Sequence, residues 1–246
     1  MTRPDVVGPV LGEVPVAILA GGRGTRLGPL TETVPKAMVE VAGKPFIDHQ
    51  LALLRRRGLR RAVLCLGHLG EQVEAHLGDG ARFGMTLGYS YDGQHLLGTG
   101  GALRRARPTL GDLFFVMYGD AYLDIDYGAM LDALRGRREL GLMAVLRNEG
   151  RWDRSNVLFR DGRLLRYDKE SPTPDMRHID YGVALLRGAA LERIPADQPS
   201  DLATLYRDLV ADGLMAGHEV ERRFYEIGSA EGLEEARTHL AAREPD

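Results

Sequence analysis

The sequence predicts an α/β fold, a three-layer sandwich around a mostly parallel mixed sheet, with a smaller β-hairpin subdomain. Apolar strand-like runs alternate with helix-like segments through the first half, which is typical of βαβ units. Two later strand-like runs joined by Asp161-Gly162 indicate a hairpin. With 246 residues and 44% hydrophobic content, the chain can form one large domain with a substantial core.

The elements of the first half follow from apolar runs and helix-end signals. A Val- and Ile-rich run over 14–20 predicts a buried parallel strand. Pro45 and Gly58 delimit a helix over 45–57. The other elements expected here are strands over 61–67, 85–91 and 113–118 and helices over 71–77 and 101–107.

The second half changes to strands that pair locally. We expect Ser200 to cap a helix over 201–212 that stops at Gly213. Asp124 and Asp126 are expected to shape a turn and cap the helix over 127–136. The other expected elements are helices over 127–136 and 230–242 and strands over 142–147, 156–159, 163–167, 179–186 and 219–227.

Composition limits the classes of protein that fit. The net charge of −3 gives no reason to expect nucleic acid or an anionic membrane as a partner. The single cysteine, Cys65, provides no disulfide framework. No secretory signal is visible, and no run approaches the ~20 apolar residues of a membrane helix. These features predict a cytoplasmic protein, with residues 1–13 as an N-terminal extension and residues 14–243 as one domain.

The most informative segment begins where the first strand ends. Gly21, Gly22 and Gly24 follow the strand, and Arg26 and Lys36 come soon after. Glycines let the backbone lie against a ligand, and successive N–H groups can then bind phosphate oxygens. Arginine adds a rigid donor fork and lysine a compact positive charge. The pattern predicts a cradle for a triphosphate.

A dinucleotide-binding turn of the dehydrogenase type is the alternative for this loop. Its fingerprint requires glycines at spacings one, three and six. Gly22 and Gly24 supply two of them, but Leu27 occupies the third place and Gly28 comes one residue late. The next strand also lacks the acidic residue that would bind a ribose. The pattern therefore favours a triphosphate.

The loop resembles the signature of sugar-1-phosphate nucleotidyltransferases, also called nucleotide-sugar pyrophosphorylases. The most specific match is Leu19–Leu27 followed by Pro35-Lys36. Weaker matches follow in the family's order at Val39–Pro45, Leu97–Ala102, Tyr118–Asp120 and Tyr225–Ser229. The resemblance covers roughly residues 14–240. It implies a Rossmann-like sandwich with a nucleotide-binding half over 14–125 and a sugar-phosphate-binding half, including the sugar-binding hairpin subdomain, over 126–243.

The implied reaction joins a nucleoside triphosphate to a sugar 1-phosphate. A phosphate oxygen of the sugar attacks the α-phosphorus, pyrophosphate leaves, and a nucleotide sugar forms. The attacking oxygen is already an anion at neutral pH, so no general base is required. The site must instead neutralise charge and hold the reactants in line.

The resemblance also assigns roles to matching residues. Arg26 should stabilise charge on the transferred phosphorus, and Lys36 should orient the phosphates. Asp120, just past an apolar strand, should bind Mg²⁺. Glu226 stands where the family has Asp, and it should be the second metal ligand or else cap the following helix. The expected nucleotide-binding residues are Leu19, Ala20, Gly21, Gly22, Gly24, Thr25, Gly98 and Thr99.

The acceptor side departs from the family's pattern. Lys169 is expected to contact the sugar phosphate, with Asp180 and Gly182 completing the site. Asp180 replaces an Asn and can only accept hydrogen bonds, which favours sugar hydroxyls. Tyr181 replaces a small Gly. These departures keep a non-sugar phosphate acceptor open.

Alternatives stay open for the nucleotide base and for the class of function. Leu97–Ala102 resembles guanylyltransferases that act on mannose- or heptose-1-phosphates, so GTP is favoured. Tyr89–Asp92 resembles uridylyltransferases and Tyr118–Asp120 resembles cytidylyltransferases, which keeps UTP and CTP open. The substitution at Glu226 keeps open a non-catalytic nucleotide-sugar sensor or partner subunit. No surface stripe identifies an interface, so a homo-oligomer also stays open.

Overall fold

The computed structural model describes residues 9–243, which form three layers around a nine-stranded mixed sheet. The α-helices are α1 Phe46–Arg56, α2 Gly70–Leu77, α3 Gly98–Leu110, α4 Tyr127–Leu134, α5 Leu202–Ala211 and α6 Ala230–Ala241. The strands are β1 Val16–Ala20, β2 Glu40–Val41, β3 Lys44–Pro45, β4 Arg61–Leu66, β5 Thr86–Tyr91, β6 Leu113–Tyr118, β7 Ala121–Tyr122, β8 Gly141–Arg147, β9 Val157–Arg160, β10 Arg163–Tyr167, β11 His178–Arg187, β12 Met215–Val220 and β13 Tyr225–Glu226.

The main sheet runs in the order β5-β4-β1-β6-β11-β8-β12-β10-β9. Strands β5, β4, β1 and β6 are parallel, as are β8 and β12. Strand β11 is antiparallel to both β6 and β8, and the hairpin of β9 and β10 closes the far edge. The predicted mixed sheet is confirmed, although its parallel part is smaller than expected.

Alternating side chains of the sheet build the two outer layers. Val16 and Ile18 of β1 face the core beneath α1, α2 and α4. Ala17, between them, faces the core beneath α3 and α5. A third apolar cluster packs α6 against Tyr122 and Ile227. This arrangement places the ends of the central strands between helices, where ligands bind in open α/β sheets.

The hairpin prediction is confirmed in its details. Asp161 and Gly162 have positive φ values of 48° and 74°, the conformation that a two-residue hairpin turn of type I′ requires. Arg160 and Arg163 pair across the turn.

The predicted last strand over 219–227 is wrong, because the chain divides there into two strands. Strand β12 ends at Val220 in the main sheet. The polar residues 221–223 do not continue the apolar pattern, and the chain crosses to pair β13 with β7 outside the main sheet. This crossing carries Glu226 to the strand that follows Asp120.

The predicted cap of α5 is also wrong, since Asp201 rather than Ser200 occupies the N-cap. The Asp201 carboxylate accepts a hydrogen bond of 2.9 Å from the Ala203 N–H. The Ser200 carbonyl instead accepts from the Gly100 N–H at 2.8 Å. That bond satisfies the first turn of α3, which begins at Gly98 and ends at Leu110, beyond both expected limits.

Asp126 caps α4 as expected, whereas Asp124 forms ion pairs with arginines. The Asp126 carboxylate accepts from the Ala129 N–H at 2.9 Å. The buried Asp124 carboxylate binds three arginines: Arg57 at 2.7 Å, Arg243 at 2.8 Å and Arg222 at 3.2 Å. Burial alone would raise the pKa of Asp124, but hydrogen bonds from Arg243 and Arg57 outweigh it and lower the pKa.

The predicted N-terminal extension is partly packed. Residues Leu11–Glu13 form a 3₁₀ turn, and Leu11 packs against the core. Packing therefore begins before residue 14, because an apolar side chain precedes the first strand; residues 1–8 lie outside the described residues. In the described part of the chain, no helix has both the length and the apolarity needed to cross a membrane.

Candidate active site

A cavity of about 370 Å³ lies at the carboxyl ends of β1 and β6. It brings together every residue that the sequence predicted for nucleotide binding, along with Arg26, Lys36 and Asp120. The predicted nucleotide-binding residues on its wall are Leu19, Ala20, Gly21, Gly22, Gly24, Thr25, Gly98 and Thr99.

The glycine loop leaves room at the cavity wall. A Cβ built on Gly22 would meet nothing within 4 Å, so protein packing does not require glycine there. Gly24 has a positive φ of 64° and begins the 3₁₀ segment that carries Arg26. The Thr31 hydroxyl donates to the Gly24 carbonyl at 2.9 Å and fixes this turn. The loop thus lies beside space that a ligand can occupy.

Gly119 lets the ends of β1 and β6 come close and presents Asp120 to the cavity. A Cβ on Gly119 would lie 2.9 Å from both the Ala20 Cβ and the Leu19 carbonyl oxygen. The Asp120 Oδ2 lies 2.5 Å from the Lys36 Nζ, and both side chains are mostly buried.

Glu226 reaches the same place from the other end of the chain. Its strand pairs with β7, and the Ile227 N–H donates to the Asp120 carbonyl at 2.9 Å. A Cβ built on Gly228 would lie 3.4 Å from Glu226 Oε1, 3.4 Å from Lys36 Nζ and 3.5 Å from Asp120 Oδ2. Two carboxylates and one ammonium therefore converge on one point.

The charges around Glu226 oppose one another. Burial raises the pKa of the Glu226 carboxyl, and the nearby charge of Asp120 adds to this effect. Lys36 and Arg26 act in the opposite direction. The helix-cap alternative for Glu226 is not what the structure shows, since the Ser229 hydroxyl accepts from the Gly232 N–H and caps α6.

The donor set fits a magnesium ion. Asp120 and Glu226 offer hard carboxylate oxygens, which Mg²⁺ prefers. The described residues contain no group of three or more His, Cys, Asp or Glu side chains that could hold a metal. Two carboxylates suit Mg²⁺ when phosphate oxygens and water complete its shell.

A second cavity of about 380 Å³ adjoins the first. Tyr118 and Asp120 line both cavities, and Glu226 lines the second. The predicted acceptor residues Lys169, Asp180 and Gly182 also line it. Asp120 therefore stands where the two cavities meet.

Lys169, which is partly exposed, forms an ion pair with the buried Asp180 in the second cavity. Lys169 Nζ lies 3.3 Å from Asp180 Oδ2, and the Asp180 side chain is only 2% exposed. Asp180 also accepts from the Tyr167 hydroxyl at 3.2 Å and the Gly182 N–H at 3.0 Å. Burial opposes the ammonium charge, but Asp180 outweighs burial and raises the pKa of Lys169. The carboxylate thus holds Lys169 charged and in place.

The Thr99 hydroxyl is engaged by the protein. It donates to Asp201 at 3.0 Å and accepts from the Leu202 N–H at 2.9 Å, which ties α3 to α5. Thr99 lines the cavity, but its hydroxyl serves this helix contact.

Asp92 is a cavity residue that sequence reasoning did not single out. It is 5% exposed, and its carboxylate accepts from the Leu97 N–H at 3.1 Å. Burial raises its pKa, while the Leu97 N–H and Arg105 oppose the rise. The available signal was a lone acid at the end of the β5 pattern, in the Tyr89–Asp92 segment that resembles uridylyltransferases.

Comparisons with known proteins agree with this arrangement. Residues 16–151 match the family model described as "Nucleotidyl transferase". An N-acetylmuramate alpha-1-phosphate uridylyltransferase of Neisseria meningitidis is 31% identical, over 92% of this chain and 97% of that protein. A UTP–glucose-1-phosphate uridylyltransferase of Synechocystis is 30% identical, over 80% of this chain and 55% of its own. A mannose-1-phosphate guanylyltransferase of Mycobacterium tuberculosis is 29% identical, over 82% and 56%. The chain thus spans about half the length of the last two.

A solved structure shares the fold. A crystal structure of a candidate glucose-1-phosphate thymidylyltransferase from Bacillus anthracis superposes with a TM-score of 0.82. The two chains are 19% identical, and the match covers 94% of this chain and 97% of that one. The similarity confirms the predicted α/β fold.

Proposed function

The chain belongs to the nucleotidyl transferase family, and on that premise we propose that it transfers a nucleoside monophosphate from a nucleoside triphosphate to a sugar 1-phosphate. The observation that carries the proposal is the position of Asp120 on the wall shared by two cavities. One cavity has the glycine loop expected of a triphosphate site, and the other has a lysine suited to a second phosphate.

In this proposal, the first cavity binds the donor. Backbone N–H groups of the glycine loop bind phosphate oxygens. Arg26 and Lys36 offset the negative charge that builds up as pyrophosphate leaves. Neither residue needs to transfer a proton, since both act as fixed charges beside the reacting phosphorus.

The second cavity holds the acceptor. Lys169, oriented by Asp180, binds the acceptor phosphate and places its oxygen toward the α-phosphorus. Asp120 and Glu226 would hold Mg²⁺ through their carboxylate oxygens. When bound, the ion supplies charge neutralisation and helps to align the two phosphates.

For the substrates, we propose GTP with a mannose- or heptose-type 1-phosphate, and UTP as the second candidate donor. The Leu97–Ala102 loop supports GTP by its resemblance to guanylyltransferases. The two uridylyltransferase relatives support UTP. The assay that tests the proposal also includes CTP and non-sugar phosphate acceptors. The proposal places the reaction in the cytoplasm, where nucleoside triphosphates are made.

The convergence of Lys36, Asp120 and Glu226 supports an enzyme over a non-catalytic sensor. The test is pyrophosphate release with Mg²⁺, crossing five nucleoside triphosphates against sugar 1-phosphates and small non-sugar phosphates. Release with one pair, lost in Asp120→Ala and Arg26→Ala, is the expected result. Binding of nucleotide sugars without release from any pair would overturn the enzyme proposal in favour of the sensor.

A further inference from the structure

The acceptor cavity has a neighbour on its outer side. An outer groove of about 730 Å³ lies between the loop over 149–155 and the loop over 172–177. Asp153 and Arg154 line both spaces. These two residues therefore stand where the acceptor cavity and the groove meet.

The loop that carries Arg154 is held in one shape by a fully buried side chain. The Asn148 amide donates to the Asp153 carbonyl at 2.6 Å and to the Ser155 hydroxyl at 3.0 Å. Its carbonyl oxygen accepts from the Trp152 N–H at 3.2 Å. A loop folded around its own buried amide presents Arg154 in a preorganised position, which lowers the entropic cost of binding.

The guanidinium of Arg154 has no hydrogen bond or ion pair with any residue between 9 and 243. Arginines nearby differ in this respect. Arg147 donates to Glu149 at 3.0 Å, and Arg151 donates to the Asn148 carbonyl at 3.2 Å. Among the described residues, the Arg154 guanidinium therefore keeps its donors unpaired at the junction of the two spaces.

The two lysines beside the cavities already have carboxylate partners. Lys169 is paired with Asp180, and Lys36 with Asp120. Asp153 also lines the junction, but one of its carboxylate oxygens accepts from the Arg154 backbone N–H at 2.6 Å rather than from the guanidinium. At this end a ligand thus meets the Arg154 guanidinium as a charged donor beside the Asp153 carboxylate, and Arg177 also lines the groove.

We infer that Arg154 is a specificity-determining residue that binds a second anionic group on the acceptor, distant from the phosphate that reacts. The inference rests on the proposed function and narrows its acceptor to a sugar phosphate with an additional carboxylate or phosphate. Arginine suits this role because its planar fork binds both groups through two parallel hydrogen bonds.

The test uses acceptor pairs that differ by one anionic group. The pairs are glucuronic acid 1-phosphate with glucose 1-phosphate, N-acetylmuramic acid 1-phosphate with N-acetylglucosamine 1-phosphate, and glucose 1,6-bisphosphate with glucose 1-phosphate. The wild type should favour the acidic member of at least one pair in kcat/KM. In Arg154→Gln, kcat/KM for that member should fall about tenfold to a hundredfold, as for loss of a hydrogen bond to a charged group.

The neutral member of the pair shows whether Arg154 binds the second anionic group or the reacting phosphate. Its kcat/KM should stay unchanged in Arg154→Gln, and Arg154→Lys should restore part of the rate with the acidic member. An equal loss with both members would overturn the inference, because it would place Arg154 on the reacting phosphate. The control is Arg163→Gln, a change at an exposed arginine that lines neither space, and it should keep the preference.

Failure of the inference can be told apart from failure of the proposed function. Turnover of neutral acceptors with no preference for acidic ones would overturn this inference alone. No turnover of any acceptor, with any triphosphate, would overturn the proposed function and the inference with it.

Discussion

Lys36 and Asp120 form an ion pair of 2.5 Å across 84 residues of sequence. Glu226 approaches the same point, so a single ammonium faces two carboxylates. The ammonium offsets only part of the negative charge there. A divalent cation brought by a nucleotide would complete the neutralisation, which connects the pair to the proposed reaction.

Replacing Asp120 should remove activity without weakening the fold. We expect Asp120→Ala to lower kcat by about a hundredfold or more, the usual cost of losing a preorganised charge at a reacting centre. Pyrophosphate release at saturating substrate measures the effect. The control is Asp126→Asn, which keeps a good helix cap and should retain kcat. Equal losses in both variants would contradict the assignment.

Metal dependence should change when Glu226 is altered. We expect EDTA to abolish turnover and Glu226→Gln to raise the Mg²⁺ concentration for half-maximal rate by about tenfold, since an amide is a weaker ligand than a carboxylate. In Glu226→Asp, the Mg²⁺ concentration for half-maximal rate should lie between those of the wild type and Glu226→Gln. The backbone at Ile227 is fixed to Asp120, so the shorter side chain reaches less far. An unchanged Mg²⁺ requirement in Glu226→Gln, with exposed Glu231→Gln as control, would exclude Glu226 as a ligand.

Two glycines should give opposite results when changed to alanine. Gly22→Ala meets open space, so the free energy of unfolding should change by less than about 0.5 kcal/mol. The added methyl group should nevertheless raise the Kd for nucleoside triphosphate at least about tenfold, because it occupies the cradle. Gly119→Ala should cost about 1–3 kcal/mol through contact with Ala20 and Leu19. Urea unfolding measures the free energy of unfolding, and nucleotide titration measures the Kd. An unchanged Kd in Gly22→Ala would contradict the prediction that the glycine loop cradles a triphosphate.

The charge of Asp124 should stabilise the fold in a pH-dependent way. Asp124→Asn leaves three arginines facing a neutral amide, and we expect a loss of about 2–3 kcal/mol at pH 7. The folded-state pKa is lowered, so this stability is fully present above the unfolded value of about 4. It is lost as the pH falls through the folded-state pKa.

Urea unfolding of both proteins between pH 3 and pH 7 tests the Asp124 prediction. The difference between wild type and variant should be constant near neutrality and shrink in acid. Asp132→Asn, an exposed change, should have little effect at any pH. If the difference in the free energy of unfolding between Asp124→Asn and wild type grew on acidification, it would contradict a lowered pKa for Asp124.

The residues that short motifs and the family resemblance predicted for the donor line one cavity. The glycines after β1 and the Gly119-Asp120 pair after β6 are both visible as local patterns in the sequence. The predictions for the hairpin and for the end of α5 at Gly213 succeeded for the same reason.

Features that depend on distant residues could not be predicted in this way. Nothing near Asp124 in sequence indicates that Arg222 and Arg243 bind it. The break between β12 and β13 depends on pairing with β7, a long-range gain that the local pattern of 219–227 does not encode. The loop held by Asn148 could not be predicted either, because an isolated asparagine gives no sign that it will be fully buried.

The pairing of β13 with β7 has a consequence for how the protein is made. The glycine loop, Lys36 and Asp120 are all synthesised well before Glu226. Every residue that lines the nucleotide cavity thus precedes residue 121, whereas the second acidic group comes much later. The two carboxylates can come together only after the chain has been synthesised through Glu226 and β13 has paired with β7.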